Sequence, residues 1–356
     1  MLKKNNKKII ILMSILSIMS LVYLISAEPS FPEPLSQLNP GDSIQDAINS
    51  SSPGDIIELN DGVYNSDGDY DINVTVDSLT IKAVDGANPI INATGKNKRV
   101  FMINSNNVTL DGLTITGGNN TQSSNDGRAG GVYSNANNTT ISNCNITQNF
   151  ASAGSGGGIY FSLRNGNNNV IGCNIIGNTA TSGSGGGVNI DTGNVIDCNI
   201  TGNTAINNAG GGAYIVYGNM IGCNITNNKA NSPGGGVYIY SGNVSACNII
   251  NNIATGSAGG VNIGNSGNIS YNRICNNNAS NGANLYTTSN NVVYDYNWWG
   301  TNNISLAGLS SPADPDTYFV IQLSVNDSWT RTNTTEKFGD NLSLNYTMVL
   351  NSTNNS

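Results

Sequence analysis

The chain has 356 residues, of which 43 are Gly, none is His and only 10% are charged. The absence of His excludes chemistry that depends on a His base, a His-containing triad or a His-bound metal. The high Gly and Asn content disfavours a mainly helical fold, and a net charge of -8 argues against nucleic acid as a partner. The remaining class is a mostly β, repetitive protein.

The N-terminus has the order of an export signal. Lysines at positions 3, 4, 7 and 8 precede an uncharged, mostly apolar run over residues 9–25, and the small residues Ser26 and Ala27 follow. This order is typical of a secretory signal peptide, and the length of the run also permits an uncleaved anchor. We predict a signal peptide or anchor over 1–27, a linker over 28–40, and a secreted or cell-surface location with several glycosylated Asn-x-Ser/Thr sites.

The central part of the chain is a repeat of 24 to 29 residues. Each of its copies begins with Cys-Asn-Ile and has an Asn three residues after the Ile. The cysteines are Cys144, Cys173, Cys198, Cys223 and Cys247, and the asparagines are Asn149, Asn178, Asn203, Asn228 and Asn252. A sixth copy keeps Ile274 and Asn277 but has Asn272 in the Cys position, so that Cys275 is out of register.

Glycine-rich motifs of the form Gly-Gly-x-Val/Ile alternate with these blocks, and the repeat extends upstream. Leu110, Leu113 and Ile115 match Ile141, Cys144 and Ile146, and Val76, Leu79 and Ile81 are expected to occupy the same register. A period of about 25 residues that holds short strands and no long apolar helix indicates one coil of a parallel β-helix.

We therefore predict an all-β, right-handed parallel β-helix of about ten coils over residues 41–311. Its Cys and Ile columns should point inward, and its Asn column should lie at a turn where side-chain amides bond along the axis. A short cap helix is expected around residues 44–48, with Asp42 or Ser43 as N-cap, before a first strand over residues 56–59.

The composition changes after Ser311 and Pro312. Residues 318–325 and 342–350 alternate like strands, and Thr/Asn-rich turns lie between them. Residues 312–356 are too few for a complete immunoglobulin-like domain, which needs about seven strands. We predict a partial immunoglobulin-like segment or a tail.

Three sequence features carry a resemblance to known families. The Gly-Gly-x-Val/Ile and Ile-x-x-Asn motifs resemble the repeats of polymorphic outer-membrane proteins, and residues 43–64 resemble the opening of pectin-lyase-like β-helix proteins. The block over residues 296–302, with Trp298 and Trp299, is similar to the end-of-helix signature of archaeal adhesin-like surface proteins. Together these features cover about residues 41–305, and they imply a cell-surface β-helix with an adhesive role.

The acidic and cysteine residues have competing interpretations. Core packing, axial disulfides and metal binding all remain possible for the Cys column. Asp67, Asp69 and Asp71 form a weak Ca²⁺ candidate or an ordinary solvated turn. Asp191 and Asp197 are expected to face solvent, because no neighbouring coil supplies matching acids.

The aromatic residues are the remaining candidates. Trp298 and Trp299 are expected to close the end of the rod, although stacking on a sugar is an alternative. Tyr160, Tyr214, Tyr238 and Tyr240 form the candidate binding surface, because Tyr gives large contact area at low entropy cost; stacking between coils alone is the alternative.

These observations favour a non-catalytic, adhesin-like surface protein that contacts glycans or other cell surfaces. No catalytic residue and no cofactor is assigned, and the membrane is expected to be contacted through the N-terminal segment only. A polysaccharide lyase or glycoside hydrolase is the first alternative, and a structural envelope component is the second.

Overall fold

The computed structural model describes residues 36–121, 127–162, 166–310, 315–325 and 344–352. The predicted signal or anchor over residues 1–27 lies outside these ranges. Among the described residues, none of the helices has the length and apolarity needed to cross a membrane.

A short helix caps the first coil, as predicted. Helix α1 spans Ile44–Ser50, and the Ser43 side chain is its N-cap, accepting a hydrogen bond from the Asp46 N–H at 3.1 Å. Ile44 and Ile48 are fully buried against the core. The predicted linker is partly a strand, because β1 (Ser36–Leu38) pairs in parallel with the Ile57–Leu59 part of the first coil.

The chain winds as the predicted right-handed parallel β-helix of about ten turns. The largest sheet, here called the long sheet, has sixteen strands. They are β1, β2 (Ile56–Leu59), β4 (Ile72–Val74), β5 (Thr80–Ala83), β7 (Phe101–Ile103), β8 (Thr109–Asp111), β11 (Val132–Ser134), β12 (Thr140–Ser142), β15 (Ile159–Phe161), β16 (Asn168–Ile171), β19 (Val188–Ile196), β22 (Ala213–Ile221), β25 (Val237–Ser245), β28 (Val261–Ser270), β30 (Leu285–Thr287) and β31 (Val292–Val293).

Two smaller sheets complete the coils. The nine-stranded sheet consists of β3 (Gly62–Tyr64), β6 (Pro89–Asn92), β9 (Thr114–Thr116), β13 (Asn145–Thr147), β17 (Asn174–Ile176), β20 (Asn199–Thr201), β23 (Asn224–Thr226), β26 (Asn248–Ile250) and β29 (Arg273–Cys275). The six-stranded sheet consists of β10 (Asn119–Asn120), β14 (Phe150–Ala151), β18 (Thr179–Ala180), β21 (Thr204–Ala205), β24 (Lys229–Ala230) and β27 (Ile253–Ala254).

The strands pair in register from coil to coil, so equal positions of the repeat form columns. Ile146, Ile175 and Ile200 are direct neighbours and fully buried, while the residues on either side of each point outward. The core is therefore a stack of aliphatic columns enclosed by the sheets.

The register predicted for the earliest coil is wrong. Ile81 pairs with Leu110, whereas the predicted partner Ile115 pairs with Ile91 on the nine-stranded sheet. The apolar spacing that suggested the match is not specific to one sheet, because strands of both the long and the nine-stranded sheet carry inward aliphatic residues. The coils downstream could be aligned because Cys marks one position in each of them.

In the later coils two strands of the long sheet merge into one, with a glycine at the bend. Gly193, Gly218, Gly242 and Gly267 have φ values between 152° and 158°. A Cβ on Gly218 would lie 1.7 Å from the Gly193 carbonyl oxygen, so only glycine permits this approach of two coils.

The described C-terminal segment is an antiparallel hairpin of β32 (Thr317–Val325) and β33 (Leu344–Ser352). The 3₁₀-helix Ile304–Leu306 precedes it. The start of β32 continues the β-helix, because Tyr296 donates its N–H to the Thr317 carbonyl and Phe319 donates its N–H to that of Asn297. Tyr318 is buried in the core. The first strand of the predicted separate segment therefore closes the rod.

Candidate binding face

The repeated asparagines form a buried hydrogen-bonded column, here called the inner ladder, of Asn149, Asn178, Asn203, Asn228, Asn252 and Asn277. Each Nδ2 from Asn149 to Asn252 donates to the Oδ1 of the next ladder residue at 3.0–3.1 Å. The same Oδ1 also accepts the backbone N–H of the preceding asparagine at 2.9–3.0 Å. The polar groups of this turn are thus satisfied inside the protein.

Asn284 is a further member that the sequence pattern did not reveal. Asn277 donates its Nδ2 to the Asn284 Oδ1 at 2.9 Å, and Asn284 donates its own Nδ2 to the Ala307 carbonyl at 2.7 Å. Asn284 follows Asn277 by only seven residues, so it stands outside the 25-residue period. It ends the ladder where the regular coils stop.

The Cys column lies inside and contains no disulfide, since all six cysteines are free and buried. The sulfur atoms also accept backbone hydrogen bonds, as in the contact of the Cys144 N–H with the Cys173 Sγ at 3.4 Å. Asn272 continues the column, because its Oδ1 accepts the Cys247 N–H at 2.8 Å. Cys and Asn therefore perform the same task at this position.

The thiols should be unreactive until the protein unfolds. All six thiols are buried, so a reagent in solution cannot reach them in the folded protein. We expect a maleimide reagent at pH 7 to leave the native protein unlabelled and to label all six cysteines in guanidinium, as counted by mass spectrometry. Labelling of fewer than six in denaturant under reducing-agent-free conditions would contradict the free-thiol assignment.

Asp67, Asp69 and Asp71 have separate protein partners instead of a common centre. Asp69 is fully buried, and its carboxylate accepts the backbone N–H groups of Ile44 and Ser66. Asp71 pairs with Lys98 at 2.8 Å, and Asp67 accepts the Tyr70 hydroxyl. Burial raises the pKa of Asp69. The three carboxylates stabilise the first coils, and no cluster of metal-ligating side chains occurs among the described residues.

Trp299 is buried in the core of the last regular coil, with only 1% of its surface exposed. Trp298 is half-buried, and its backbone donates to the Asn272 carbonyl at 2.8 Å. Neither ring offers an open face comparable with the exposed tyrosines.

Four tyrosines lie in one outward column of the long sheet, here called the tyrosine row: Tyr133, Tyr160, Tyr214 and Tyr238. Tyr214 and Tyr238 are stacked, with ring centroids 4.8 Å apart and planes 8° apart, and Tyr133 and Tyr160 are 5.8 Å apart. Asn189 lies between the two pairs. It is nearly buried, and its Nδ2 donates to the Ser184 carbonyl. The rings are half-buried on a rigid sheet.

Two arginines face the first pair of the row. The Arg99 guanidinium lies 5.2 Å from the centre of the Tyr133 ring, and the Arg128 guanidinium lies 5.6 Å from that of Tyr160. Arg128 also donates to the Tyr133 hydroxyl at 3.5 Å. These contacts place two guanidinium groups at one end of the row.

Asp191 reaches solvent in part and lies beside the tyrosine row. Asp191 is half-buried, two residues after Asn189 on β19. Burial first, and the Asp191 charge second, raise the pKa of Tyr160 to about 12. Burial lowers the pKa of the Arg128 guanidinium, but the Tyr133 hydrogen bond and the charges of Tyr160, Tyr133 and Asp191, in that order, raise it, and the net shift is upward. Asp197, in contrast, is exposed at a turn as predicted.

Tyr240 is not in the row, although it is close to its end. It is 38% exposed and meets Tyr217 edge to face, with centroids 6.0 Å apart. The Tyr238 hydroxyl and the Tyr240 ring both lean over Gly264, within about 3 Å of the position that a Cβ would occupy. Of the four predicted tyrosines, the structure thus brings Tyr214 and Tyr238 into one stack and places Tyr160 beside the arginines.

The arginines and Tyr133 are not predicted from the sequence, because they precede the coils in which the repeat is most regular. Tyr133 could have been found from the Gly130–Tyr133 copy of the glycine motif, whose Tyr is equivalent to Tyr160 and Tyr238. The arginines stand in turns of unequal length, so no spacing relates them to the row.

No protein-family model matches the chain, and no curated protein sequence matches it. Among solved structures, the chain is similar to the pectate lyase Pel9A at a TM-score of 0.45 and 13% identity, covering 86% of this chain and 94% of the other. It is similar to ybhC of Escherichia coli at a TM-score of 0.35 and 11% identity, covering 69% of this chain and 75% of the other. It is similar to the polygalacturonase of Erwinia carotovora ssp. carotovora at a TM-score of 0.29 and 14% identity, covering 76% of this chain and 96% of the other. These likenesses are at the level of the fold.

Proposed function

We propose that this protein is an adhesin-like surface protein that binds glycans through the tyrosine row. The observation that supports the proposal is a column of half-buried tyrosine rings on a rigid sheet, with Arg128 and Asp191 beside it. Tyrosine offers an apolar ring and a polar hydroxyl, which suits the apolar faces and hydroxyl groups of sugars. A pKa of about 12 keeps the Tyr160 hydroxyl protonated at neutral pH, so it can both donate and accept.

The proposal is tested with a glycan array that is probed with the full-length protein and with two single variants, Tyr160→Ala and Tyr214→Ala. We expect each substitution to weaken binding of the best glycan about tenfold, equivalent to ~1.4 kcal/mol. Tyr217→Ala is the matched control, because Tyr217 is an exposed tyrosine of the same sheet that lies outside the row. Equal losses for the control and the row variants, or no bound glycan, would refute the proposal.

The surface location is part of the same proposal and is supported by the Lys-rich start and apolar run of the sequence. Fractionation of the native cells with an antibody against the β-helix tests it. Recovery of the protein in the cytoplasmic fraction would contradict it.

A carbohydrate-active enzyme is the second candidate, and the cluster of Arg128, Tyr160 and Asp191 favours it. A carboxylate beside a guanidinium and a phenol can move a proton at a bound sugar. Hydrolases, however, use two carboxylates at a defined separation, and Asp191 and Asp197 are the only acids between residues 151 and 290. Turnover of a polysaccharide that disappears in the Asp191→Asn variant would establish this candidate.

A further inference from the structure

A second polar column lies on the outside of the long sheet, beyond the glycine bend. Each bend glycine is followed by an asparagine, and these residues form what is here called the outer ladder: Asn194, Asn219, Asn243 and Asn268. Asn219 donates its Nδ2 to the Asn194 Oδ1 at 2.9 Å, and Asn243 donates in the same way to Asn219. The Asn268 backbone N–H then donates to the Asn243 Oδ1 at 3.1 Å.

The last three members of this ladder border a groove of about 480 Å³. Its lining consists of Asn219, Asn243 and Asn268, the serines Ser245 and Ser270, and the side chains of Ile221 and Tyr271. Amide and hydroxyl groups can donate and accept hydrogen bonds, and none of these lining residues carries a charge. The groove thus offers neutral polar groups along one side and an aromatic ring at its edge.

The aromatic edge is a stacked pair. Tyr271 and Tyr296 have ring centroids 5.4 Å apart and planes 9° apart. Tyr271 is 62% exposed, which makes it the most exposed aromatic side chain among the described residues. A ring with this much exposed surface does not serve to fill the core.

Both tyrosines have a left-handed backbone conformation, with φ values of 60° and 59°. In earlier coils the same turn position also has a left-handed backbone, with φ values from 52° to 67°. The residues there are Gly172, Asp197, Gly222 and Ala246. Glycine and aspartate adopt this region readily, whereas a bulky residue does so at a steric cost. Two successive coils therefore carry exposed rings at positions where glycine would fit better, and such outliers point to function.

We propose that the groove beside Tyr271 binds a neutral oligosaccharide, with one sugar ring stacked on Tyr271 and sugar hydroxyls bonded to Asn243 and Asn268. The ring provides an apolar platform for the C–H face of the sugar, and the ladder provides amides for its hydroxyls. The uncharged lining favours a neutral glycan over an acidic one, which would leave its carboxylates without a cation. This site is separated from the tyrosine row by the glycine bend and does not depend on the function proposed for the row.

The test is calorimetric titration of the full-length protein with cellohexaose, maltohexaose, mannohexaose and chitohexaose, and with hexagalacturonate as the acidic counterpart. Expression in a bacterial cytoplasm leaves the Asn268-Ile269-Ser270 sequon unmodified. The deciding variant is Tyr271→Gly, which removes the ring and also relieves the left-handed backbone. We expect binding of at least one neutral hexamer, a loss of affinity of tenfold or more in Tyr271→Gly, and a melting temperature at or above that of the wild type.

The unchanged or raised melting temperature separates a binding role from a structural one, because a ring needed for packing would lower it on removal. Tyr217→Ala is the matched control, because Tyr217 is an exposed tyrosine that neither lines the groove nor belongs to the tyrosine row, and it should leave the affinity for the neutral hexamer unchanged. The proposal is overturned if no neutral hexamer binds, if hexagalacturonate binds most tightly, or if Tyr271→Gly binds like the wild type. A fall in melting temperature that accompanies the loss of binding would also overturn it.

Discussion

Replacement of Asn203 by Ala should lower the free energy of unfolding by roughly 3–5 kcal/mol, because buried hydrogen-bonding groups lose their partners. The Asn203 Oδ1 accepts both the N–H and the Nδ2 of Asn178, at 2.9 and 3.0 Å. Its Nδ2 donates to the Ile175 carbonyl and to the Asn228 Oδ1, at 2.8 and 3.0 Å. All of these groups are inside the rod, where water does not replace the lost partner.

Chemical denaturation followed by circular dichroism measures the effect. Asn174→Ala is the control, because the exposed Asn174 makes the equivalent contact, a 2.8 Å bond to the Asn145 Oδ1, on the outer surface. Its cost should be below ~1 kcal/mol. If Asn203→Ala and Asn174→Ala have the same free energy of unfolding, the buried hydrogen bonds of the inner ladder do not stabilise the fold more than those on the surface.

Replacement of Gly218 by Ala should lower the free energy of unfolding by more than ~4 kcal/mol or prevent soluble expression altogether. The added Cβ would lie 1.7 Å from the Gly193 carbonyl oxygen and 2.8 Å from its carbonyl carbon, which are backbone atoms of the adjacent coil. The two coils would have to separate, and the strand pairing on both sides of the bend would be lost with them.

Gly202→Ala provides the comparison within the same coil series. Gly202 has a φ of +65°, and nothing lies within 4 Å of the position of its Cβ. The substitution should therefore cost only the left-handed conformation of Ala, about 1–2 kcal/mol. Thermal melts and soluble yields of the two variants are compared directly, and a Gly218→Ala protein as stable as Gly202→Ala would disprove the close approach.

The sequence alone predicts the coil, the cap helix and the inner columns, because a period of 25 residues repeats the same physical environment several times. Cys144 to Cys247 and Asn149 to Asn277 could be aligned since each occupies one position in every coil. The first coils were placed in the wrong register for the opposite reason, because Ile81 belongs to a coil without such a marker.

The candidate sites are only partly visible in the sequence. Tyr160, Tyr214 and Tyr238 follow the glycine motif and were found, whereas Arg99 and Arg128 come from turns whose length varies between coils. Asp191 appeared isolated because its neighbours, Tyr160 and Tyr214, are contributed by the coils before and after it. The outer ladder is visible in the sequence as a Gly-Asn pair in each of four coils. The sequence does not show that each glycine is a bend between two strands, and without the bend the pairs do not indicate a ladder.

The two asparagine ladders also have opposite polarity. In the inner ladder the bonds between asparagines run towards the C-terminal end of the rod, as from the Asn178 Nδ2 to the Asn203 Oδ1, while the same Nδ2 also donates back to the Ile146 carbonyl of the preceding coil. In the outer ladder the amides point the other way, as from Asn243 to Asn219. The bonds between asparagines in the two ladders therefore link neighbouring coils in opposite directions, so a coil added at either end of the stack would meet donors from one ladder and acceptors from the other.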